Sequence, residues 1–95
     1  MEVRQTNVFA QWLLDLRDRA ARARIVVRIR RLEQDNPGDV KAVGEGVSEM
    51  RITYGPGYRL YFIRQGEDVT ILLCGGDKST QAADIAKAKL LAKEV

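Results

Sequence analysis

Apolar and polar positions change period twice along this chain, and the two changes divide it into helices, strands and a last helix. Phe9, Trp12, Leu13 and Leu16 recur at i, i+3, i+4 and i+7, one stripe of an amphipathic helix, and Thr6 or Asn7 precedes it as an N-cap. Arg17-Asp18-Arg19 interrupts the stripe. A second helix is predicted from about Ala20 to Gln34, with Ala21, Ile25, Ile29 and Leu32 on one face. Asn36-Pro37-Gly38-Asp39 stops it, and the two helices are close enough in sequence to form an antiparallel hairpin. Residues 38–46, with three glycines, read as a loop. The period then falls to 2. Val47–Thr53, Tyr58–Arg64 and Val69–Cys74 are short strands separated by Gly55-Pro56-Gly57 and Gln65-Gly66-Glu67-Asp68. Residues 2–5 give a further, weakly patterned strand. After Gly75-Gly76-Asp77, Ser79 or Thr80 caps a third helix that continues to the C-terminus through Ile85, Ala88 and Leu91. The predicted architecture is α+β in the order (β)ααβββα, a single domain over residues 1–95 in which a small antiparallel sheet is packed by an N-terminal helical hairpin and a C-terminal helix.

The hairpin around Gly55-Pro56-Gly57 carries the most information about a site. If those three residues are the loop, Tyr54 faces Tyr58, Ile52 faces Leu60 and Met50 faces Phe62 on one apolar side of the sheet. The other side then carries Arg51 across from Tyr61 and Thr53 across from Arg59. A one-residue slip would bury an arginine, which is costly. Arg51, Arg59 and Tyr61 are therefore expected together on the side away from the core, as a solvated sheet face or as a phosphate-and-base surface. The third strand, Val-Thr-Ile-Leu-Leu-Cys, is apolar on both parities and reads as an interior strand whose register the sequence does not define.

Composition narrows the chemistry. The chain is 45% hydrophobic and 31% charged, which places it among globular rather than disordered sequences. Net charge is only +3, too little for general affinity for DNA, although residues 17–31 hold seven Arg and one Asp. Within that run Arg24 and Arg31 share a solvent-facing side of the helix, with Arg17 near it, as an ordinary exposed face or a nucleic-acid or acidic-partner contact. There is no His, so the commonest general base and metal ligand are both missing. One Cys excludes an internal disulfide, and Cys74 at the end of an apolar strand reads as a small core residue. Trp12 reads as core. The carboxylates are scattered, so no cofactor or metal is expected. Gly75-Gly76-Asp77-Lys78-Ser79-Thr80 lacks the spacing of a nucleotide-binding loop and reads as a strand-to-helix turn, with Lys78 placed to hold a single phosphate. No apolar run approaches 18 residues and MEVRQTN lacks a signal-peptide core, so a cytoplasmic setting without membrane contact is expected.

Three stretches carry a family resemblance: Ser48-Glu49-Met50-Arg51-Ile52, Gly55-Pro56-Gly57-Tyr58-Arg59-Leu60-Tyr61-Phe62, and Leu72-Leu73-Cys74-Gly75-Gly76-Asp77-Lys78-Ser79-Thr80-Gln81 with Asp84-Ile85. Together they make the chain similar to the RelE/ParE superfamily of bacterial toxins, closest to its HigB-like, phage Gp49-related addiction-module killer branch. The resemblance implies a microbial-ribonuclease-like fold and the toxin of a type II toxin–antitoxin pair. RelE and HigB relatives cut messenger RNA on the ribosome, and ParE relatives inhibit DNA gyrase. It further implies a cognate antitoxin of the helix-turn-helix kind, a toxin–antitoxin hetero-oligomer, and the ribosome and its message as targets. By similarity Arg59 is the arginine of the tyrosine–arginine strand, and Arg51 and Lys78 occupy positions where nuclease relatives place basic residues. Arg59, Arg51, Lys78 and Tyr61 are thus the candidate catalytic residues, with Asp77 a further candidate base. Arg51, Arg59, Lys78, Arg24 and Arg31 are the candidate RNA-binding ones. The chain departs from the pattern in three places. Met50 and Ile52 stand where RelE has a lysine pair, no histidine is present, and no aromatic residue follows Phe62. On this reading Arg59→Ala removes cleavage and leaves the fold intact.

Overall fold

A computed structural model describes all 95 residues. The elements are β1 (Glu2–Gln5), α1 (Asn7–Asp15), α2 (Arg19–Glu33), β2 (Val40–Gly44), β3 (Val47–Ile52), β4 (Tyr58–Gln65), β5 (Val69–Gly76), a 3₁₀ turn (Lys78–Thr80) and α3 (Gln81–Ala92). The fold is α+β, as expected. The sheet is larger than the sequence pattern predicts: five strands in the order β1-β5-β4-β3-β2, antiparallel except for β1, which runs parallel to β5.

Residues 38–46 are not a loop. Val40–Gly44 pairs with β3 as an edge strand, Val40 opposite Met50 and Lys41 opposite Glu49. The glycines bound this strand rather than dissolve it: Gly38 lies before it, and Gly44 and Gly46, both at positive φ, form the tight turn into β3.

Thr6 caps α1 as predicted, accepting from the Phe9 amide at 3.0 Å. Its own hydroxyl donates to the Leu73 carbonyl at 2.6 Å, so the same side chain pins the helix start to β5. Asp18 caps α2 by accepting from the Ala21 amide. Arg22 donates to the Leu14 and Leu16 carbonyls, closing the junction between the two helices.

The sheet is covered on both faces. On one, Phe9 of α1 and Ile25 and Leu32 of α2 pack with Met50, Ile52, Leu60, Phe62 and Leu72. On the other, Ala88 of α3 packs with Val47, Tyr61, Ile71, Leu73 and Cys74. Strand β5 reads as apolar on both parities for two reasons: it is interior, and a bulge opposite Tyr61–Phe62 shifts its pleat between Leu72 and Cys74. No helix is long and apolar enough to cross a membrane.

Candidate functional site

The β3–β4 register differs from the expected one by two residues. Arg51 pairs with Arg59, Ile52 with Tyr58, Met50 with Leu60 and Glu49 with Tyr61. A shift of two keeps every side chain on its predicted face. The loop is two residues longer than Gly55-Pro56-Gly57, taking in Thr53 and Tyr54 and closed by the Gly57 amide donating to the Tyr54 carbonyl at 3.1 Å. Gly57 sits at φ +81°, where an L side chain is strained. The consequence is chemical. The two arginines, expected to be diagonal, are direct cross-strand partners.

The face they share divides along its length. Toward the middle of the sheet it lies under α3, and there Tyr61 is fully buried instead of lying open beside the arginines. Its hydroxyl donates to Glu49 Oε2 at 3.3 Å. Burial, and the Glu49 charge beside it, push the phenol far above its ordinary range. Tyr61 is therefore a neutral donor behind the site and does not open onto the cleft. Toward the hairpin end α3 no longer covers the sheet, and β2 has ended at Val40, so Arg51 lies at an open corner.

Arg51, Arg59 and Lys78 line a cleft of about 320 Å³ at that corner, with Asp39, Thr53 and Gly57. The Arg51 amide donates to the Asp39 carbonyl at 3.0 Å, and its Nη2 donates to the Asp39 carboxylate at 2.8 Å. The hydrogen bond from Arg51, more than its charge, holds the Asp39 carboxyl below the usual aspartate range. Arg59 is held differently. Its side chain is 12% exposed, its Nε lies 3.7 Å from Glu49 Oε2, and its Nη1 reaches the Gly57 carbonyl at 3.4 Å. Lys78 is exposed on the 3₁₀ turn after β5, beside Gly57.

A second cleft of about 620 Å³ adjoins the first and shares Asp39, Arg51, Ile52 and Thr53 with it. Arg24 and Arg31 line it together, as their helical spacing predicts, and Arg28 lies between them. Arg28 is structural: its two terminal nitrogens donate to the Arg51 and Pro37 carbonyls at 2.8 and 2.9 Å. The Arg24 guanidinium stacks over the Tyr54 ring, 4.3 Å from its centroid. Arg17 falls between the helices and lines neither cleft. Six cations and one carboxylate, Asp39, line the joined surface, and with the buried Glu49 behind Arg59 the local charge is +4.

Gly75-Gly76 is a packing device. A Cβ on Gly75 would overlap the Trp12 ring, and one on Gly76 would overlap the Asp84 carboxylate. Thr80 stands at the N-cap position of α3, as expected, though its side chain makes no capping hydrogen bond; the 3₁₀ turn before it is capped by Asp77. Asp77 accepts from the Ser79 amide at 2.8 Å and from the Ser79 hydroxyl. Those bonds hold the Asp77 carboxyl below its ordinary range, a poor setting for a base. Cys74 is buried, as expected. No three carboxylate or thiol groups converge to hold a metal ion.

Glu49, Gln81 and Asp39 take part in the site without standing out in the sequence. Asp39 reads there only as part of a helix stop. Glu49 carries a visible sign: its parity places a carboxylate on the same sheet face as Arg51 and Arg59.

No solved structure matches the chain. An uncharacterized protein of Haemophilus influenzae (strain Rd) is 48% identical to it over 95 residues, covering all of this chain and 96% of that one. The family model for phage-derived Gp49-like proteins (DUF891) matches residues 11–94, which include every residue lining the two basic clefts. That family is associated with toxin–antitoxin addiction modules. With the match running from α1 to the end of α3, the chain belongs to the family of phage-derived Gp49-like proteins.

Proposed function

We propose that the chain is the toxin of a type II toxin–antitoxin pair, a RelE/HigB-like endoribonuclease that cuts messenger RNA on the ribosome. The cross-strand pair Arg51–Arg59, opening with Lys78 onto one corner cleft, carries the reading. Two guanidiniums and an ammonium converging on about 320 Å³ suit a single phosphodiester. In the proposed reaction the substrate's 2′-hydroxyl gives its proton to solvent, its oxygen forms a bond to the adjacent phosphorus, and the bond from phosphorus to the 5′-oxygen breaks. The products are a 2′,3′-cyclic phosphate and a 5′-hydroxyl. Arg51 and Arg59 stabilise the charge that builds on the pentacoordinate phosphorus. Lys78 neutralises the leaving oxygen or delivers its proton.

The second cleft continues this surface along α2. There Arg24, stacked on Tyr54, and Arg31 take flanking phosphates or bases. A net charge of +3 is modest for an enzyme that must capture free RNA. Positioning of the message by the ribosome supplies what the site lacks, since such positioning is worth about 7–11 kcal/mol. The antitoxin, in this proposal, covers the arginine-lined surface in a hetero-oligomer.

One observation favours a second reading. The phenol proposed as a base is buried and the Asp77 carboxylate is committed to its cap, so the cleft carries a phosphate grip without a plain proton acceptor. That suits a ParE-like protein that inhibits gyrase by binding alone. Cell-free translation with purified protein separates the two readings, with message ends mapped by primer extension in the presence and absence of ribosomes. Cuts at codon-spaced positions only with ribosomes support the nuclease. Intact message together with gyrase-dependent DNA breaks supports the inhibitor.

A further inference from the structure

Glu49 is the one acidic side chain in the buried core, 1% exposed, and it lies directly behind the phosphate grip. Three groups converge on its Oε2: Gln81 Nε2 at 2.8 Å, the Tyr61 hydroxyl at 3.3 Å and Arg59 Nε at 3.7 Å. Its other oxygen is buried without a partner, and so is Arg59 Nε, which faces Glu49 beyond hydrogen-bond range. A buried charge lacking a counter-charge is strongly unfavourable, so these two groups neutralise one another. The neutral donors come from other elements: Tyr61 from β4, and Gln81 from the first turn of α3. They fix the carboxylate and leave Arg59 as its only counter-ion.

We propose that Glu49 is the positioning residue for Arg59: held by Gln81 and Tyr61, it anchors the guanidinium from behind through Nε, and apart from the bond from Nη1 to the Gly57 carbonyl at the cleft rim it leaves the terminal N–H donors facing the cleft. The proposal rests on the phosphate-binding reading of that cleft and adds a role for a residue that never touches substrate. A guanidinium fork binds a phosphate through two nitrogens only when its plane is set in advance. The Glu49 carboxylate sets that plane, and a neutral amide in its place does not.

Two measurements on the full chain test this. The first is the nitrogen-15 NMR signal of Arg59 Nε–H, in wild type and in Glu49→Gln. The expected result is a sharp, exchange-protected signal in wild type that shifts and broadens in the variant, while that of Arg51 stays in place. The second is single-turnover cleavage of ribosome-bound message by wild type, Glu49→Gln, Arg59→Lys and the double variant. Glu49→Gln is expected to slow the saturated rate by up to about a hundredfold, with little change in the ribosome concentration giving half the maximal rate. In the Arg59→Lys background the same change costs almost nothing more. If Glu49→Gln fails to fold, Glu49→Asp keeps the charge, draws it back from Arg59, and serves in both measurements. An unmoved Arg59 signal, or losses that add, overturns the proposal and leaves Glu49 a structural buried ion pair. If wild type cuts no message the ribonuclease reading fails, and the NMR comparison still decides whether Glu49 positions Arg59.

Discussion

Arg51 and Arg59 stand directly opposite each other on β3 and β4, and each leans on a different carboxylate: Arg51 on Asp39 at 2.8 Å, Arg59 on Glu49 at 3.7 Å. Like charges facing one another across a ladder are unfavourable, and each counter-charge offsets part of that cost. The two halves differ in burial. The Arg51–Asp39 pair is solvated, with side chains 43% and 50% exposed, whereas the Arg59–Glu49 pair is almost fully enclosed.

That difference separates activity from stability. Arg51→Ala is expected to lower message cleavage by about 10²–10³-fold, the usual cost of removing one charge-stabilising donor, with a melting temperature near wild type. Arg59→Ala also removes cleavage, but it strands the Glu49 charge in the core. Breaking such a buried pair costs about 3–5 kcal/mol, more than about 10 °C in melting temperature for a domain of this size. The expectation from sequence that Arg59→Ala leaves the fold intact is thereby reversed. Adding Glu49→Gln to Arg59→Ala is expected to recover much of the lost melting temperature without restoring cleavage. Thermal melts of the four proteins check this, and an Arg59→Ala melt matching wild type contradicts it.

How much of this was legible in the sequence follows from what each pattern encodes. Side-chain parity is a property of the strand itself, so patterning separates the apolar set Met50, Ile52, Leu60 and Phe62 from the opposite set Arg51 and Arg59. Register along the strand depends on loop length. Thr53 and Tyr54 entering the loop moved the pairing by two residues without disturbing parity. The edge strand Val40–Gly44 was hidden because its glycines signal turns at both ends and its four other residues form half a pattern. Tyr61 departs from its expected exposure for a different reason. Patterning shows that two faces differ, and it does not show that α3 closes over one of them at Tyr61 and leaves it open at Arg51. Glu49 and Gln81, 32 residues apart, meet only in the folded chain.

On the proposed function the arginines of α2 divide into those that contact RNA and those that hold the fold, and salt dependence tests that division. Arg24 and Arg31 line the larger cleft without a carboxylate of their own. Arg24→Ala and Arg31→Ala are each expected to weaken binding of a short single-stranded RNA and to flatten the log–log salt dependence by about 0.7, the value for one phosphate. Arg17→Ala, outside both clefts, leaves the slope unchanged. Arg28→Ala lowers the melting temperature, because it abandons the Arg51 and Pro37 carbonyls. Fluorescence anisotropy across a potassium chloride series measures the slopes, and an equal loss of slope for Arg17→Ala contradicts the assignment.

Cys74 gives a pH dependence of defined sign. Burial pushes its thiol up to about 11, helped by the nearby Asp84 charge. In the unfolded chain the thiol ionises near its ordinary value of about 8.5. A group whose folded value is raised stabilises the fold fully below the unfolded value, and that contribution is lost as pH rises through the folded one. Stability is therefore expected to decline between roughly pH 8.5 and pH 11. Tyr61, shifted in the same direction, adds to the decline at the alkaline end. Cys74→Ala removes the thiol's share and flattens the curve, which urea titrations at a series of pH values measure. In the native protein at pH 8 the thiol resists iodoacetamide, and it reacts promptly once urea unfolds the chain.

The glycine pair after β5 yields the last prediction. A methyl group at residue 75 overlaps the Trp12 ring, and that ring is held against Phe9 at 5.7 Å and Tyr58 at 6.3 Å between centroids. An indole wedged between two aromatic neighbours has little room to retreat, so Gly75→Ala is expected to cost about 1–3 kcal/mol, as overpacking does. At residue 76 the obstacle is the Asp84 carboxylate, the end of a short side chain tied to the Thr80 hydroxyl at 2.5 Å. Gly76→Ala swings that carboxylate aside and breaks one exposed hydrogen bond, a smaller loss. Trp12 is the only tryptophan, so its emission reports the first substitution directly. Gly75→Ala shifts the emission and lowers the melting temperature, whereas Gly76→Ala leaves the emission in place. If the two glycines instead held a phosphate, both substitutions would weaken phosphate binding and neither would move the tryptophan signal.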